Sequence, residues 1–455
     1  MKLVFVHGWS VTDFDTYGEL PAALQATMPE DAGLELHHIY LGRYVSFNDE
    51  VTLDDIARAF DQARQDVIGD EDFSCVTHST GGPVVRLWMH LFYGSGNLEG
   101  CPLKHLVMLA PANHGSALAV LGSKRLLRIF KKFKTGLEQG IKVLRWLQLG
   151  SNEQFDLNVP WEQYFPADFG CYPFVLTGDY RDKKAYDFIN PYLAEPGSDG
   201  VIRVCSANLN YQLVTLVQNN DLVVEGYDDK KVVLLKPSGG IKKTAPSPLA
   251  LVPEASHSGE EHGIMRSVLA GTHHKPVIEL IWDCLSVTSS SEYEETIRSF
   301  EGKNNQIQGD NDQFTMLAFR IRDDRGNLVD DYDMLLLADE NYEPDKLPVG
   351  FYQDRQFNKD SGVLIYYINY TKMTKVEHAG FRINARPDEG FSYYLPIEFR
   401  SNGYSIRDIL KPNQTLLVDV TLTRMVDREL FRLEELSEVQ EKDFSEVTPS
   451  GDVIG

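Results

Sequence analysis

The residue with the clearest potential for chemistry is Ser79, which lies between a predicted strand and a predicted helix. Residues 73–76 are apolar and favour a β-strand, and the serine follows at the turn. Gly81 and Gly82 are small residues at the point where the helix must pass close to the strand. Pro83 suits the first turn of a helix, because the N–H that proline lacks is not needed there. The segment therefore predicts a sharp strand–turn–helix with a serine at its apex.

The residues around this serine come close to the pattern G-x-S-x-G, which presents a nucleophilic serine on a tight turn. Thr77 stands where the first glycine is usual, and this position requires a small residue. The pattern predicts that Ser79 is a nucleophile. The alternative is an ordinary turn rich in Ser, Thr and Gly, because short motifs have many false positives.

A serine hydroxyl needs an imidazole to accept its proton and a carboxylate to orient that imidazole. On turns of this kind the chain order is serine, then acid, then histidine. Asp199 lies in a Pro-Gly-Ser-Asp-Gly turn before an apolar run and is the predicted acid. Asp179 follows a predicted strand and is the alternative. Either residue could also be an ordinary turn aspartate.

Two histidines follow the last predicted strand of the core, residues 249–252. His257 comes within a few residues of that strand, and His262 lies at the start of the next predicted helix. We predict His257 as the base and keep His262 as the alternative.

The oxyanion of an ester-cleaving reaction needs two N–H donors. The residue after the nucleophile, Thr80, supplies one, and a loop after an early strand supplies the other. Gly8 and Trp9 follow the first predicted strand, so the Trp9 N–H is the predicted second donor. His7 precedes the nucleophile in the chain, and we expect a structural role for it. This chemistry requires no cofactor, and we predict none.

Four segments in this order resemble those of the α/β-hydrolases, and more narrowly those of the bacterial lipases. The family has an H-G oxyanion loop, an H-S-x-G-G elbow, a small-residue stretch after the next strand, and an acid in a D-G-x-V segment. The matching segments are residues 7–9, 78–82, 111–116 and 199–206. The resemblance covers roughly the first 285 residues and not the C-terminal part.

The resemblance implies an α/β-hydrolase fold and a serine carboxylic-ester hydrolase of the triacylglycerol lipase or phospholipase type. It implies that Ser79 is the nucleophile, Asp199 the acid, and the Trp9 and Thr80 N–H groups the oxyanion donors. It does not choose between the two histidines.

Composition excludes some classes of function. The chain of 455 residues has a formal net charge of −23, which argues against nucleic acid as a partner. Its five cysteines are scattered, without C-x-x-C spacing, which predicts neither a disulfide framework nor a zinc site. The sequence begins with a predicted strand and contains no apolar run of about 20 residues. We therefore expect a cytoplasmic protein, and export without a signal peptide remains open.

Strand and helix patterns alternate in the first part of the chain, which predicts a mostly parallel sheet with helices on both faces. The predicted strands are residues 2–6, 34–41, 73–76, 106–109, 174–176, 232–235 and 249–252. The predicted organisation is a catalytic domain at 1–288 with a cap insertion at about 115–170, a β-sandwich-like accessory domain at 289–435, and a polar tail at 436–455.

The composition changes around residues 286–292, where a serine-rich run predicts a linker. Short β-rich runs separated by turn residues follow, which is typical of an all-β sandwich. We expect this domain to dock a protein partner or to brace the catalytic domain. Lipid binding is the alternative, which the acidity of the domain disfavours. Acidic stretches at 310–312 and 330–333 could bind calcium, but their spacing fits no EF-hand loop, and we read them as solvated turns.

Residues 121–150 form a basic, apolar segment in an acidic protein, with eight Lys or Arg and one acid. One interpretation is a cap that contacts anionic lipid with its charges and apolar side chains. The other is a helical cap that packs on the sheet and leaves its charges in water. The segment favours a lipid ester over a small polar ester, and both phospholipid and acylglycerol remain open as substrates.

Two alternatives to hydrolysis of a carboxylic ester remain from the sequence. The same triad could transfer the acyl group to another acceptor, or act as a thioesterase. The fold could also be a non-catalytic binding scaffold, although a full set of candidate triad residues argues against that.

Overall fold

The computed structural model of the chain describes residues 1–7, 15–29, 33–46, 48–94, 97–121, 140–162, 165–180, 195–269, 271, 275–387 and 392–426. Its strands are β1 Lys2–His7, β2 Glu35–Tyr40, β3 Phe73–His78, β4 Leu103–Leu109, β5 Tyr172–Gly178, β6 Tyr211–Glu225, β7 Lys231–Pro237, β8 Lys242–Lys243, β9 Leu249–Val252, β10 Phe314–Asp323, β11 Tyr332–Ala338, β12 Tyr352–Asn358, β13 Val363–Asn369, β14 Ala379–Ala385, β15 Ser392–Tyr393, β16 Ile397–Arg400, β17 Thr415–Leu422 and β18 Met425–Val426.

The α-helices of the described residues are α1 Leu20–Ala26, α2 Leu53–Val67, α3 Gly81–Phe92, α4 Ile141–Leu147, α5 Asn152–Asn158, α6 Val204–Ala207, α7 Pro276–Leu285, α8 Ser290–Gln308, α9 Tyr370–Met373 and α10 Ile406–Ile409. Their start points follow local chemistry. Thr52 caps α2 and Ser289 caps α8, each in a reciprocal capping box with an acid three residues later. Within the described residues, every helix is too short or too polar to cross a membrane.

Six of the described strands form a parallel sheet in the order β2-β1-β3-β4-β5-β9. Strands β3, β4 and β5 are almost wholly buried, as expected for a sheet covered by helices on both faces. The prediction of an α/β-hydrolase fold is confirmed. Because the strands are parallel, the loops after their carboxyl ends meet at one edge, where such folds bind ligands.

The strand predicted at 232–235 does not belong to this sheet. It lies in β7, which pairs with β6 and β16 in a second sheet. The chain leaves the first sheet before β6 and returns to it at β9. An apolar run of this length is consistent with either sheet, because periodicity predicts a strand but not the strand with which it pairs.

A segment after residue 288, the predicted end of the catalytic domain, also packs against the first sheet. The predicted linker leads directly into α8, which packs against the first sheet. The Tyr293 hydroxyl donates to the Pro173 carbonyl at 2.6 Å, and the Asn304 side chain bonds the backbone of β9 at 2.7 and 2.8 Å. Serine is common both in linkers and at helix starts, so a serine-rich run does not by itself distinguish the two.

The second sheet is mixed, with the order β11-β14-β16-β7-β6-β17-β10-β13-β12 and β8 on the side of β6. It folds over on itself. Phe319 of β10 and Phe381 of β14 are five strands apart, about 24 Å in a flat sheet, yet their ring centroids are 5.0 Å apart. One folded sheet thus encloses an apolar core, which accounts for the sandwich-like pattern of the sequence.

Candidate active site

Ser79 lies at the junction between β3 and α3, in a backbone conformation that non-glycine residues rarely adopt. Its φ is +54°. Its N–H donates to the Leu109 carbonyl at 3.0 Å, so β4 supports the turn. A strained serine between a strand and a helix is the geometry that exposes a nucleophilic hydroxyl.

Close packing of α3 explains both glycines after the serine. A Cβ on Gly82 would lie 3.0 Å from side-chain atoms of Met108 and Pro111, which is tighter than ordinary contact. A Cβ on Gly81 would lie 3.3 Å from that of Thr77, which is fully buried. The chain therefore accommodates threonine at the usual glycine position because its neighbour on the helix has no side chain.

We predict that Gly82→Ala destabilises the protein by about 1 kcal/mol, since the overpacking of Met108 and Pro111 exceeds the helix-propensity gain. The matched control is Gly302→Ala in α8, where a Cβ would meet nothing within 4 Å. This control should gain about 0.5–1 kcal/mol. Denaturant unfolding of both variants tests the pair. Equal stabilisation by the two alanines would contradict the proposed close approach of α3.

His257 is buried and joins the serine to an acid. Its Nδ1 lies 2.9 Å from Oδ2 of Asp199, and its Nε2 lies 3.2 Å from Oγ of Ser79. With the Nδ1 proton donated to the carboxylate, Nε2 is left to accept the serine proton. The structure thus brings the three residues predicted as nucleophile, base and acid into one hydrogen-bonded chain.

Asp199 is fully buried, and its second oxygen is also satisfied. Oδ1 accepts from the N–H groups of Val201 and Ile202 at 2.9 and 2.7 Å. The backbone carbonyl of Asp199 accepts from the His257 N–H at 2.9 Å, so the two residues are joined twice. Asp179, the alternative acid, lies just after β5, and burial raises the pKa of its carboxyl. The imidazole contact goes to Asp199.

His262, the alternative base, has other partners. Its Nδ1 lies 3.2 Å from the Glu254 carbonyl, and its ring lies 4.4 Å from that of Tyr180. Its Nε2 lies 3.7 Å from Glu261. The histidine within hydrogen-bond distance of the serine is therefore His257.

His78 contacts the backbone of the candidate base, a role that sequence reasoning missed. Its Nε2 donates to the His257 carbonyl at 3.1 Å, and the two rings are 4.7 Å apart. Burial, together with the neighbouring imidazole, holds the pKa of His78 well below its usual range. The histidine before the serine in the H-S-x-G-G segment is thus a neutral donor that fixes the backbone of the base.

Of the two predicted oxyanion donors, Thr80 lies within the described residues and Trp9 does not. Thr80 immediately precedes α3, so its N–H lies beside Ser79 at the turn. Trp9 lies outside the described residues and stays a prediction. His7 is buried at the end of β1, where its ring stacks on Tyr40 at 4.1 Å. Burial lowers the pKa of His7 to about 3, so its imidazole is uncharged.

The described part of the cap packs on the protein. Residues 122–139 lie outside the described residues, but α4 buries Val143, Leu144, Trp146 and Leu147. Its Lys142 pairs with Glu50 at 2.7 Å, and Arg145 lies 3.8 Å from Asp360. This portion fits a packed cap with solvated charges.

The described residues contain no group of three or more His, Cys, Asp or Glu side chains placed to hold a metal ion. In the acidic stretch at 330–333, Asp331 and Asp333 each bind Arg386 at 2.6 Å. Those acids neutralise an arginine, and they lie far along the chain from the candidate triad.

Comparison with known proteins gave two kinds of result. No protein-family model matches the chain, and neither does any curated protein. Among solved structures, phospholipase PlaB from Legionella pneumophila matches 100% of this chain and 99% of its own, with 39% identity and a TM-score of 0.87. A second structure of PlaB, in complex with thio-NAD, matches 100% of both chains with 38% identity and a TM-score of 0.85.

Proposed function

The chain belongs to the family of phospholipase PlaB, and we propose from this premise that phospholipids are the lipid esters it cleaves. It is a carboxylic-ester hydrolase of the α/β-hydrolase fold that acts on lipid esters. The observation that carries the proposed site is the hydrogen-bonded chain from Ser79 through His257 to Asp199, with a strained serine at its end.

In the proposed mechanism, Oγ of Ser79 attacks the ester carbonyl carbon while Nε2 of His257 takes the hydroxyl proton. Asp199 holds the imidazole in the correct tautomer and stabilises the imidazolium. The N–H of Thr80, with that of Trp9, donates to the oxyanion. The tetrahedral intermediate expels the alcohol, which receives the proton from His257, and leaves an acyl-enzyme.

The second half repeats these roles with water. His257 removes a proton from a water molecule, which attacks the acyl-enzyme carbonyl. Collapse of the second tetrahedral intermediate returns the proton to Ser79 and releases a fatty acid. For a phospholipid, the two products are a lysophospholipid and a fatty acid.

The direct test is product analysis after incubation with phospholipid vesicles and with triacylglycerol emulsions. We expect fatty acid and lysophospholipid from the vesicles, at a rate well above that of fatty acid release from the emulsion. A preference for the emulsion would overturn the phospholipid assignment. Added short alcohols distinguish acyl transfer, since a transferase would form alkyl esters in place of free acid.

We further propose that the basic residues at 122–139 attract the enzyme to anionic membranes. Each Lys or Arg near such a surface contributes about 1 kcal/mol to the free energy of binding. A triple variant with Lys131→Gln, Lys132→Gln and Lys134→Gln should therefore bind anionic vesicles about 100-fold more weakly. The measurement is vesicle co-sedimentation at low ionic strength, with activity on a short soluble ester as the reference.

The matched control for this prediction is Lys142→Gln with Arg145→Gln, because the structure pairs these cations with acids of the protein. The control should bind vesicles nearly as well as the parent. Equal weakening by the two sets of substitutions would argue for a general effect of net charge instead of a membrane-facing segment.

The thiols favour a reducing compartment, and we propose the cytoplasm. All five cysteines lie within the described residues, and all are buried and unpaired with one another. Disulfides are rare where glutathione and thioredoxin keep thiols reduced.

A further inference from the structure

The loop that carries Asp199 lies between the candidate base and the second sheet. It closes on itself: the Asp199 N–H donates to the Ile202 carbonyl at 3.1 Å, and the Val204 N–H donates to the Gly197 carbonyl at 3.0 Å. Asp199 occupies the tip of this turn and faces His257. The position of the carboxylate therefore depends on what holds the two sides of this loop.

Arg203 fixes one side of the loop to the second sheet. Its guanidinium is buried and donates two hydrogen bonds to Glu195, both at 2.8 Å, and one to Asp354 of β12 at 2.5 Å. It also lies 4.2 Å from the ring centre of Tyr367. Burial alone would lower the pKa of Arg203, but the two carboxylates outweigh that effect and raise it, so the arginine stays charged.

Tyr367 of β13 fixes the other side. Its hydroxyl lies 2.6 Å from the Pro196 carbonyl and 3.2 Å from that of Gly197. Gly197 has a φ of +69°, and a Cβ there would lie 2.6 Å from Phe314 and 2.7 Å from the Tyr367 hydroxyl. Backbone and sheet approach so closely here that only glycine fits.

We propose that Asp354 and Tyr367 are positioning residues, which hold Asp199 against His257 from the second sheet. This inference deepens the proposed function and rests on Asp199 being the catalytic acid. The sheet thus acts on the loop that bears the acid. Its contribution is geometric, and a displacement of about 1 Å in a catalytic group can cost on the order of 100-fold in rate.

The first test uses Tyr367→Phe, which keeps the ring over Arg203 and removes only the hydroxyl, and Asp354→Asn, which removes a charge beside Arg203. We expect kcat on a short soluble ester to fall about 10-fold and up to about 100-fold, respectively. KM should stay within about twofold if both residues act only through the position of the acid.

A matched control separates positioning from loosening of the sheet. Glu398 of β16 is fully buried and binds Arg382 of β14 at 2.6 Å, so it forms a comparable ion pair elsewhere in the second sheet. Glu398→Gln should lower the melting temperature but leave kcat within about twofold of the parent. If this control lost kcat as strongly as Asp354→Asn, a general structural effect would explain the losses and the inference would fall.

A double-mutant cycle tests whether the two residues act through the acid. If they do, adding Tyr367→Phe to Asp199→Asn should cause no further loss of kcat, because the carboxylate it positions is already gone. Fully multiplicative losses would overturn the inference. Should Asp354→Asn fail to fold, the Tyr367→Phe arm of this cycle still decides the question.

The outcome also separates this inference from the proposed function. If the parent reacts with a fluorophosphonate at Ser79 while Tyr367→Phe and Asp354→Asn keep the parental kcat, the serine mechanism stands and the positioning role is wrong. If Ser79→Ala retains full activity, the proposed function itself is wrong, whatever the second sheet does.

Discussion

Ester hydrolysis by a Ser79→Ala variant is expected to be on the order of 10⁶-fold slower than that of the parent, since loss of a triad nucleophile has an effect of this size. The hydroxyl at position 79 is the atom that would bond to the acyl group, and the chain offers His257 as its partner at 3.2 Å. The measurement is kcat on a short soluble ester, which avoids any dependence on membrane binding. Alanine should leave the fold intact.

The control for this variant is Ser286→Ala, because Ser286 is an exposed serine whose hydroxyl donates to the Asp283 carbonyl in the last turn of α7. It should retain parental activity. A fluorophosphonate probe followed by mass spectrometry of the labelled peptide gives an independent reading. The label should appear on Ser79 in the parent and in Ser286→Ala, and it should vanish in Ser79→Ala. Parental turnover by Ser79→Ala would refute the mechanism.

The second large effect concerns the two histidines after β9. We expect His257→Ala to lose activity by on the order of 10⁶-fold, as for removal of the base from a serine triad. His262→Ala should remain within a few-fold of the parent, because His262 contacts Glu254 and Tyr180 at the surface. The two variants are natural controls for each other, since they lie five residues apart.

Two measurements make this comparison decisive. The first is kcat on the short soluble ester, and the second is the rate of fluorophosphonate labelling of Ser79, which also requires the base. Both should fall in His257→Ala alone. Similar, modest losses in the two variants would mean that another group accepts the serine proton.

The sequence could predict the serine and the acid because each depends on its own short segment. The turn at Ser79 needs small neighbours, and Gly81 and Gly82 supply them. The turn at Asp199 is closed by bonds from its own side chain to residues two and three positions later. Requirements of this kind involve only residues close together in the chain, so a short sequence pattern can indicate them.

The choice of base could not be made in the same way. His257 and His262 both follow β9, and nothing in their neighbouring residues says which ring will face the serine. In the structure the difference arises from a distant contact, the bond from the His257 N–H to the Asp199 carbonyl. Such a contact joins positions 58 residues apart and is invisible to local patterns.

The same limit explains the misplaced strand at 232–235. Its run of four apolar residues predicts a strand correctly, but β6 and β7 find their other neighbours in β17 and β16. Those neighbours lie far along the chain, beyond what periodicity can indicate. The loop before β6 consequently lies against the second sheet, and no local pattern singles out Asp354 or Tyr367 as its partners.

The interleaved order of the strands has a consequence for biosynthesis. The β6–β7 hairpin emerges from the ribosome roughly 200 residues before β17 does. At about 5–20 residues per second, this delay lasts about 10–40 s. During that time both outer edges of the hairpin and the loop bearing Asp199 lack the neighbours they have in the finished protein. A nascent chain that ends before β10 therefore carries the serine, the acid and the histidine without β12 and β13, which contact the acid loop. The native setting of this site is completed only after these strands have been synthesised.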